Sequence, residues 1–487
     1  VTHTASRHAT ETVEIPPHLL VLFGGTGDLA VRKLLPAVAG LLERRGFVDR
    51  LQVLAVATRP LGDDGYRRYL AEALNDSGLS PAGRADLLDR VSYHRVGDGF
   101  DALAGKIEEI ESAASLDGNR VFYLAVPPAV FDDTIEGLVS AGLTRSRGTT
   151  RVVVEKPFGT DLDSAIRLNQ VLHRHFPEEA IYRIDHYLAK ETVQNLLVFR
   201  FANPLFESAW NRDRIDRVEV TVAETLGLEG RVQYFDGLGI IRDIVQNHLL
   251  QVLALVAMEP PVRLTARHIR DEKVKLLEAV FPVSPDSVTR GQYSAGEIDG
   301  AAVPGYRDEE GIDAGSTTET FARLTLDIDN WRWRGVPFVL TAGKRMERRM
   351  TEVVVSFREP PVCLFEVNGV CPVHPNRLVI TLQPNEGFDL FFDVKQPGEG
   401  MALDTKTLSF RYGDEFGEFP DAYETLLVDV LTGDQTLFVR ADESEEAWRI
   451  VAGVLDLAEP PTPYPAGSRG PLATSTNNRL TPVWGAP

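Results

Sequence analysis

The feature that most constrains this chain is a series of short, unbroken apolar segments, each leading through a turn into helix-like sequence. "LLVLFGGTGDLA" (19–30) is the first, and "LQVLAVATR" (51–59), "RVFYLAVPP" (120–128) and "RVVVEKPFG" (151–159) follow at intervals long enough for a crossover helix. A strand that is apolar at every position must be buried on both faces, and a parallel sheet covered by helices on both sides does this. Residues 19–186 are therefore expected to form a doubly wound, Rossmann-like dinucleotide-binding domain, preceded by a polar tail over 1–18.

The pattern changes in the second half. "GLGIIRDIVQNHLLQVLALVAM" (237–258) reads as a largely buried helix. After it, "TFARLTLDID", "PFVLTAG", "TEVVVSFRE", "RLVITLQP" and "FDLFFDVK" alternate with a period of two. That alternation predicts a large, mainly antiparallel sheet in an α+β domain over 187–487. The Pro/Gly-rich "EPPTPYPAGSRGP" (459–471) is expected to wrap its surface.

Charge and cysteine content narrow the function classes. The net charge of −20 repels nucleic acid and anionic membranes as general partners. A phosphorylated ligand then needs its own basic pocket, so basic clusters become informative. Cys363 and Cys371 are the only cysteines, with no CxxC, so neither a disulfide framework nor a cysteine zinc site is expected. The opening residues lack a signal-peptide core, and no apolar run reaches the ~18 residues of a membrane span. A soluble cytoplasmic protein is expected.

Five segments carry candidate chemistry. Gly24, Gly25 and Gly27 lie between a strand and a helix, where a backbone can approach a pyrophosphate at a helix N-terminus; a plain strand-to-helix joint would look similar. At the end of the next strand, where an NAD site places an acid, stand Thr58 and Arg59. A guanidinium there suits the 2′-phosphate of NADP, worth about 1.5–3 kcal/mol, although a solvated loop arginine is the alternative. "EKPFG" places Glu155, Lys156 and Pro157 at the ligand-binding edge of the sheet. "RIDHYLAKE" (183–191) reaches the same edge with Asp185 as a helix cap. His186 and Lys190, four apart, are then expected on one face at the positive end of that helix, a phosphate site or merely exposed charges. His248 would ordinarily be a satisfied core histidine, but Arg242, Asp243, Gln246 and Asn247 interrupt the same apolar run. Unpaired, each buried polar group would cost about 1–3 kcal/mol.

Taken in order, "GGTGDLA", "FYLAVPP", "EKPFG", "RIDHYLAKE", "FDGLGIIRDIVQNHLLQ", "AGK" and "QPNE" resemble the glucose-6-phosphate dehydrogenase family from Gly24 to Glu386, with "YPAGSRGP" extending the match. The resemblance implies His248 as general base and Asp185 as its orienting carboxylate. It implies His186, Tyr187 and Lys190 as ligands of the 6-phosphate, and Glu224, Asp243, Lys344 and Arg349 around the sugar. Lys156 would reach between substrate and cofactor. Gly24, Gly25, Thr26, Gly27, Asp28, Leu29, Thr58, Arg59 and Pro127 would hold NADP. The implied partners are glucose 6-phosphate and further copies of the chain, as a homodimer or homotetramer; no metal is implied. Ala189 and Val31 depart from the usual pattern. Met350, Asp389 and Phe391 stand where some animal enzymes bind a second, structural NADP, so that site is not expected. Two other readings compete: a Rossmann sugar oxidoreductase of the glucose–fructose type, and a non-catalytic NADP-binding regulator.

Overall fold

A computed structural model describes residues 15–44, 51–75, 78–230, 232–366, 370–398, 400–417 and 421–471. Of the tail expected over 1–18, residues 1–14 lie outside these. The chain forms two compact units, and neither is one continuous stretch: Pro157–Arg167 joins the second unit, whereas Leu168–Ile184 and Pro420–Phe438 return to the first.

The first unit is built on strands β1 (His18–Phe23), β2 (Leu51–Ala57), β3 (Val91–Arg95), β4 (Arg120–Leu124), β5 (Thr150–Val154) and β6 (Ile181–Ile184). Their spatial order is 3-2-1-4-5-6, and each of these neighbouring pairs is parallel. The strand order reverses between β1 and β4, the crevice where open α/β sheets bind ligands. All six positions of β1 are buried, which accounts for the unbroken apolar run Leu19–Phe23 that follows His18. A late segment completes the unit: Phe438–Val439 (β17 in chain order) adds an edge beyond β6. The Gln435 amide donates to the carbonyls of Glu178 and Ile181, both at 2.9 Å.

The second unit holds β7 (Ile215–Ala223), β8 (Val288–Ser294), the hairpin β9 (Gly296–Ile298) and β10 (Ala301–Val303), β11 (Phe321–Leu326), β12 (Phe338–Gly343), β13 (Met350–Phe357), β14 (Arg377–Gln383), β15 (Gly387–Lys395), β16 (Leu403–Arg411) and β18 (Thr462–Pro465). Nine of these strands make one sheet in the order 16-15-14-13-7-12-11-8-18, antiparallel except at β7·β12 and β8·β18. Burial falls from the central β12, buried at all six positions, to the outer β16, where none is buried. The apolar run at 237–258 forms a π-helical segment, Ile241–Leu249, continued by an α-helix, Leu250–Ala257.

Two expectations need correction. Cys363 and Cys371 are joined by a disulfide; a separation of eight positions suffices to bring two cysteines together, whatever the cysteine count. The Pro/Gly-rich segment 459–471 also does more than cover a surface. It supplies β18, which pairs parallel with β8 and buries Tyr464. Among the described residues, no helix is long and apolar enough to cross a membrane.

Candidate active site

β6 ends at Ile184, and the chain turns sharply at Asp185 rather than entering a helix. The Asp185 carbonyl accepts from Leu188 N at 3.0 Å, and its Oδ1 accepts from Tyr187 N at 3.0 Å. The helix begins only at Glu191, with Lys190 as its N-cap. The shared helix face expected for His186 and Lys190 is thus a tight turn held by an aspartate side chain, a local bond that competes with helix formation.

That turn meets the π-helical segment. His248 Nδ1 lies 2.6 Å from Asp185 Oδ1, and both side chains are 1% exposed. A carboxylate only accepts, so Nδ1 carries a proton, and in the neutral imidazole Nε2 is then the nitrogen with the lone pair. Burial acts to raise the Asp185 carboxyl, but the charge and hydrogen bond of His248, with His186 and the Tyr187 amide, hold it below the usual carboxylate range. Asp185 Oδ2 is buried without a hydrogen-bond partner among the described residues. The imidazole is fixed by its neighbours: Tyr187 stacks on it at 4.2 Å and 17°, and His186 meets it edge-on at 4.7 Å. The donor atoms of Asp185, His186 and His248 lie within 4.8 Å of one another. The bond between His248 Nδ1 and Asp185, however, already occupies two of the three. π winding brings residues five apart into register, which aligns Asp243 with His248.

Around this pair the structure gathers several other expected residues. Lys190 Nζ stands 3.7 Å above the Tyr187 ring. Burial is the main cause that brings this lysine down to about 8; Glu386, Asp185 and Glu224 act to raise it and Arg349 to lower it. Lys344 Nζ pairs with Glu224 Oε2 at 2.6 Å and lies 5.1 Å from the Phe235 ring. Arg349 is exposed and lines a cavity of about 260 Å³ with Arg348, Gln383 and Arg411. The result is a cationic cluster beside a poised imidazole. Asp389 is engaged with Arg411 at 2.7 Å, and Phe391 lies under Arg377 at 4.5 Å.

The glycine turn lies in the first unit, at the end of β1. Gly24 has φ +82°, and a Cβ there would meet the Ala125 carbonyl oxygen at 2.1 Å; one on Gly25 would meet Ala55 Cβ at 2.7 Å. A Cβ on exposed Gly27 would touch only the Gly24 oxygen, at 3.0 Å, so the turn stays open towards the helix that follows. Asp28 is exposed and pairs with Arg32 at 2.7 Å; Leu29 caps the helical segment Ala30–Leu34. Thr58 and Arg59 lie exposed after β2, and Pro127 lies exposed after β4. No described carboxylate pairs with Arg59, and nearby Asp63 is committed to Tyr93 N at 2.7 Å and Lys106 at 3.1 Å. A turn that excludes side chains and an unneutralised guanidinium fit a phosphorylated dinucleotide. Lys156 ends the first stretch of the first unit, after Glu155, whose Oε1 accepts from Tyr123 Oη at 2.6 Å. In the second unit, Trp448 Nε1 donates to the Phe158 carbonyl at 2.8 Å.

Sequence reasoning missed Glu386, whose carboxyl is raised by burial despite Lys190 and whose Oε2 has no hydrogen-bond partner among the described residues. Its signal was present in "QPNE", at the end of a predicted strand. It also missed Trp448, which only the folded chain brings to the "EKPFG" turn.

Residues 21–195 match the family model described as "Glucose-6-phosphate dehydrogenase, NAD binding domain", and residues 197–480 match "Glucose-6-phosphate dehydrogenase, C-terminal domain". The chain is 42% identical over 478 residues to a glucose-6-phosphate 1-dehydrogenase of Treponema pallidum, covering 94% of this chain and 93% of that one. It is 43% identical over 483 residues to one of Rhizobium meliloti, covering 95% and 96%. A solved structure of a glucose-6-phosphate dehydrogenase in complex with its substrate glucose-6-phosphate superposes with a TM-score of 0.87 at 37% identity, covering 94% of this chain and 96% of that one.

Proposed function

This chain belongs to the glucose-6-phosphate dehydrogenase family, and on that premise we propose that it oxidises β-D-glucose 6-phosphate at C1 with NADP. The products are 6-phospho-D-glucono-1,5-lactone and NADPH, the opening step of the oxidative pentose phosphate pathway. The observation that carries this reading is the buried His248–Asp185 bond of 2.6 Å beside Lys190 and its basic neighbour Arg349.

His248 Nε2 takes the proton of the C1 hydroxyl as the C1–O bond becomes a carbonyl. Asp185, held ionised, keeps the proton on Nδ1 and stabilises the imidazolium as it forms. His186, Tyr187 and Lys190 bind the 6-phosphate, which anchors the sugar at the end remote from C1. Glu224, Asp243, Lys344 and Arg349 orient the hydroxyls, and the Glu224–Lys344 pair presents both an acceptor and donors. Gly24, Gly25, Thr26, Gly27, Asp28 and Leu29 would hold the pyrophosphate, Thr58 and Arg59 the 2′-phosphate, and Pro127 and Lys156 the nicotinamide end. The bound dinucleotide supplies the acceptor for the hydride that leaves C1 with its electron pair. The half-exposed outer strands β15 and β16, with Leu408 59% exposed, support assembly into a homodimer or homotetramer through the large sheet.

The test is NADPH formation by the purified protein, comparing glucose 6-phosphate with glucose and NADP with NAD. Rapid reduction of NADP with the phosphorylated sugar alone is expected. Reduction with free glucose at a similar rate would remove the phosphate assignment, and no reduction by folded protein would remove the catalytic one.

A further inference from the structure

Arg59 presents a problem that its sequence position does not solve. It is exposed, and no described carboxylate holds its long side chain. A guanidinium left to itself populates many rotamers, so little of its pairing strength reaches a ligand. The structure provides a different restraint. Arg59 Cζ lies 4.9 Å from the centroid of the Tyr69 ring, within the range of a cation–π contact. Its carbonyl accepts from Tyr93 Oη at 2.6 Å, so its backbone is fixed as well.

Tyr69 reaches the other half of the dinucleotide site too. Its hydroxyl donates to the Thr26 carbonyl at 3.1 Å, inside the glycine turn. Tyr66, one helical turn earlier on Asp63–Ala73, donates to the Gly25 carbonyl at 2.6 Å and stacks on Tyr93 at 4.9 Å. This helix therefore lays its tyrosines along the turn, and one of them alone also touches the arginine.

We propose that Tyr69 is a positioning residue that holds Arg59 against its ring, in register with the glycine turn, and so sets the preference for the 2′-phosphorylated cofactor. This rests on Arg59 reading the 2′-phosphate, as proposed above. A ring that merely filled space would affect both cofactors alike. A ring that acts through Arg59 affects only the one carrying the extra phosphate.

The experiment compares kcat/KM for NADP and for NAD, with saturating glucose 6-phosphate, in the wild type, Tyr69→Leu, Tyr69→Phe, Arg59→Ala and the double variant Tyr69→Leu/Arg59→Ala. The ratio within one protein does not depend on how much of it is folded. Tyr69→Leu is expected to lower the NADP/NAD ratio about two- to fivefold, the scale of an exposed cation–π contact. Tyr69→Phe, which keeps the ring, should retain the wild-type ratio, and the double variant should match Arg59→Ala because the tyrosine acts through the arginine. An unchanged ratio in Tyr69→Leu overturns the proposal, as does an equal loss with both cofactors. Should Tyr69→Leu not fold, additivity of Tyr69→Gln with Arg59→Ala would overturn it instead. A wild-type ratio in Arg59→Ala sinks the underlying reading of Arg59, and the proposal with it.

Discussion

Lys190 should make the binding of the phosphorylated sugar sensitive to alkaline pH. Burial brings its ammonium down to about 8, partly offset by Glu386, Asp185 and Glu224 and reinforced by Arg349. Below that pH the lysine is a cation, and the sugar phosphate, with a second pKa of about 6, is already a dianion. As pH rises through 8 in the free enzyme, the lysine loses the charge that the phosphate pairs with. One unit above, about one enzyme in eleven still carries it, so kcat/KM for the phosphosugar should fall about tenfold. Bound phosphate favours the charged lysine, so kcat should change less over the same range. The assay is a series of initial rates from about pH 7 to about pH 9.5 at saturating NADP, with the KM for NADP as the internal control. Lys190→Arg keeps its charge throughout, because a guanidinium does not titrate there, and should flatten the profile. Glu386→Gln removes an upward influence on the lysine and should move the break to lower pH. A flat wild-type profile, or the same break in Lys190→Arg, would refute the reasoning.

Three further outcomes are expected. His248→Asn should lower kcat by about 10²–10⁴-fold with a modest change in KM, and near-normal turnover would remove it as the base. Gly24→Ala forces a left-handed backbone and a carbonyl clash; it should raise the KM for NADP and cost at least about 1 kcal/mol of stability in thermal unfolding, and wild-type values for both would count against the account of the turn. Lys273 and Glu443 form an ion pair at 2.6 Å with side chains 1% and 0% exposed. Lys273→Met should cost about 3–5 kcal/mol in denaturant unfolding, because it strands a buried carboxylate; a loss below about 1 kcal/mol would refute this.

The sheet architecture was legible because burial leaves its mark on every residue of a strand. β1, β2, β4 and β5 read as continuous apolar runs; the large sheet was read from alternation, which β11 keeps, whereas β12 is buried at all six positions. The residues of the site were legible mainly as familiar segments, since nothing local to Asp185 announces a partner 63 positions away. The tight turn at 186–189 escaped because its apolar neighbours also fit a helix, and only the Asp185 side chain decides between the two. The return of Leu168–Ile184 and of the segment ending at Phe438 to the first unit, like β18 on β8, depends on long-range pairing that no sequence window contains. The tyrosines at 66, 69 and 93 look like ordinary aromatic residues until the distances of their hydroxyl groups to the glycine turn and to Arg59 are known.

The strand made of Thr462–Pro465 has a bearing on how the enzyme is born. Tyr464 Oη donates to the Lys344 carbonyl at 2.7 Å and bonds the Thr320 hydroxyl at 3.0 Å, partners made 120 and 144 residues earlier. Gly467 N and Ser468 O then grip the backbone of Arg345 and Glu347 at 2.8 and 2.9 Å. A chain emerging from the ribosome would therefore present the proposed base His248, the proposed phosphate ligand Lys190 and the Lys344 loop before the segment that clamps that loop has been synthesised. At about 5–20 residues per second, the interval amounts to about 6–30 seconds. During it, the edge of β8 is open and the lysine that pairs with Glu224 sits on an unclasped loop.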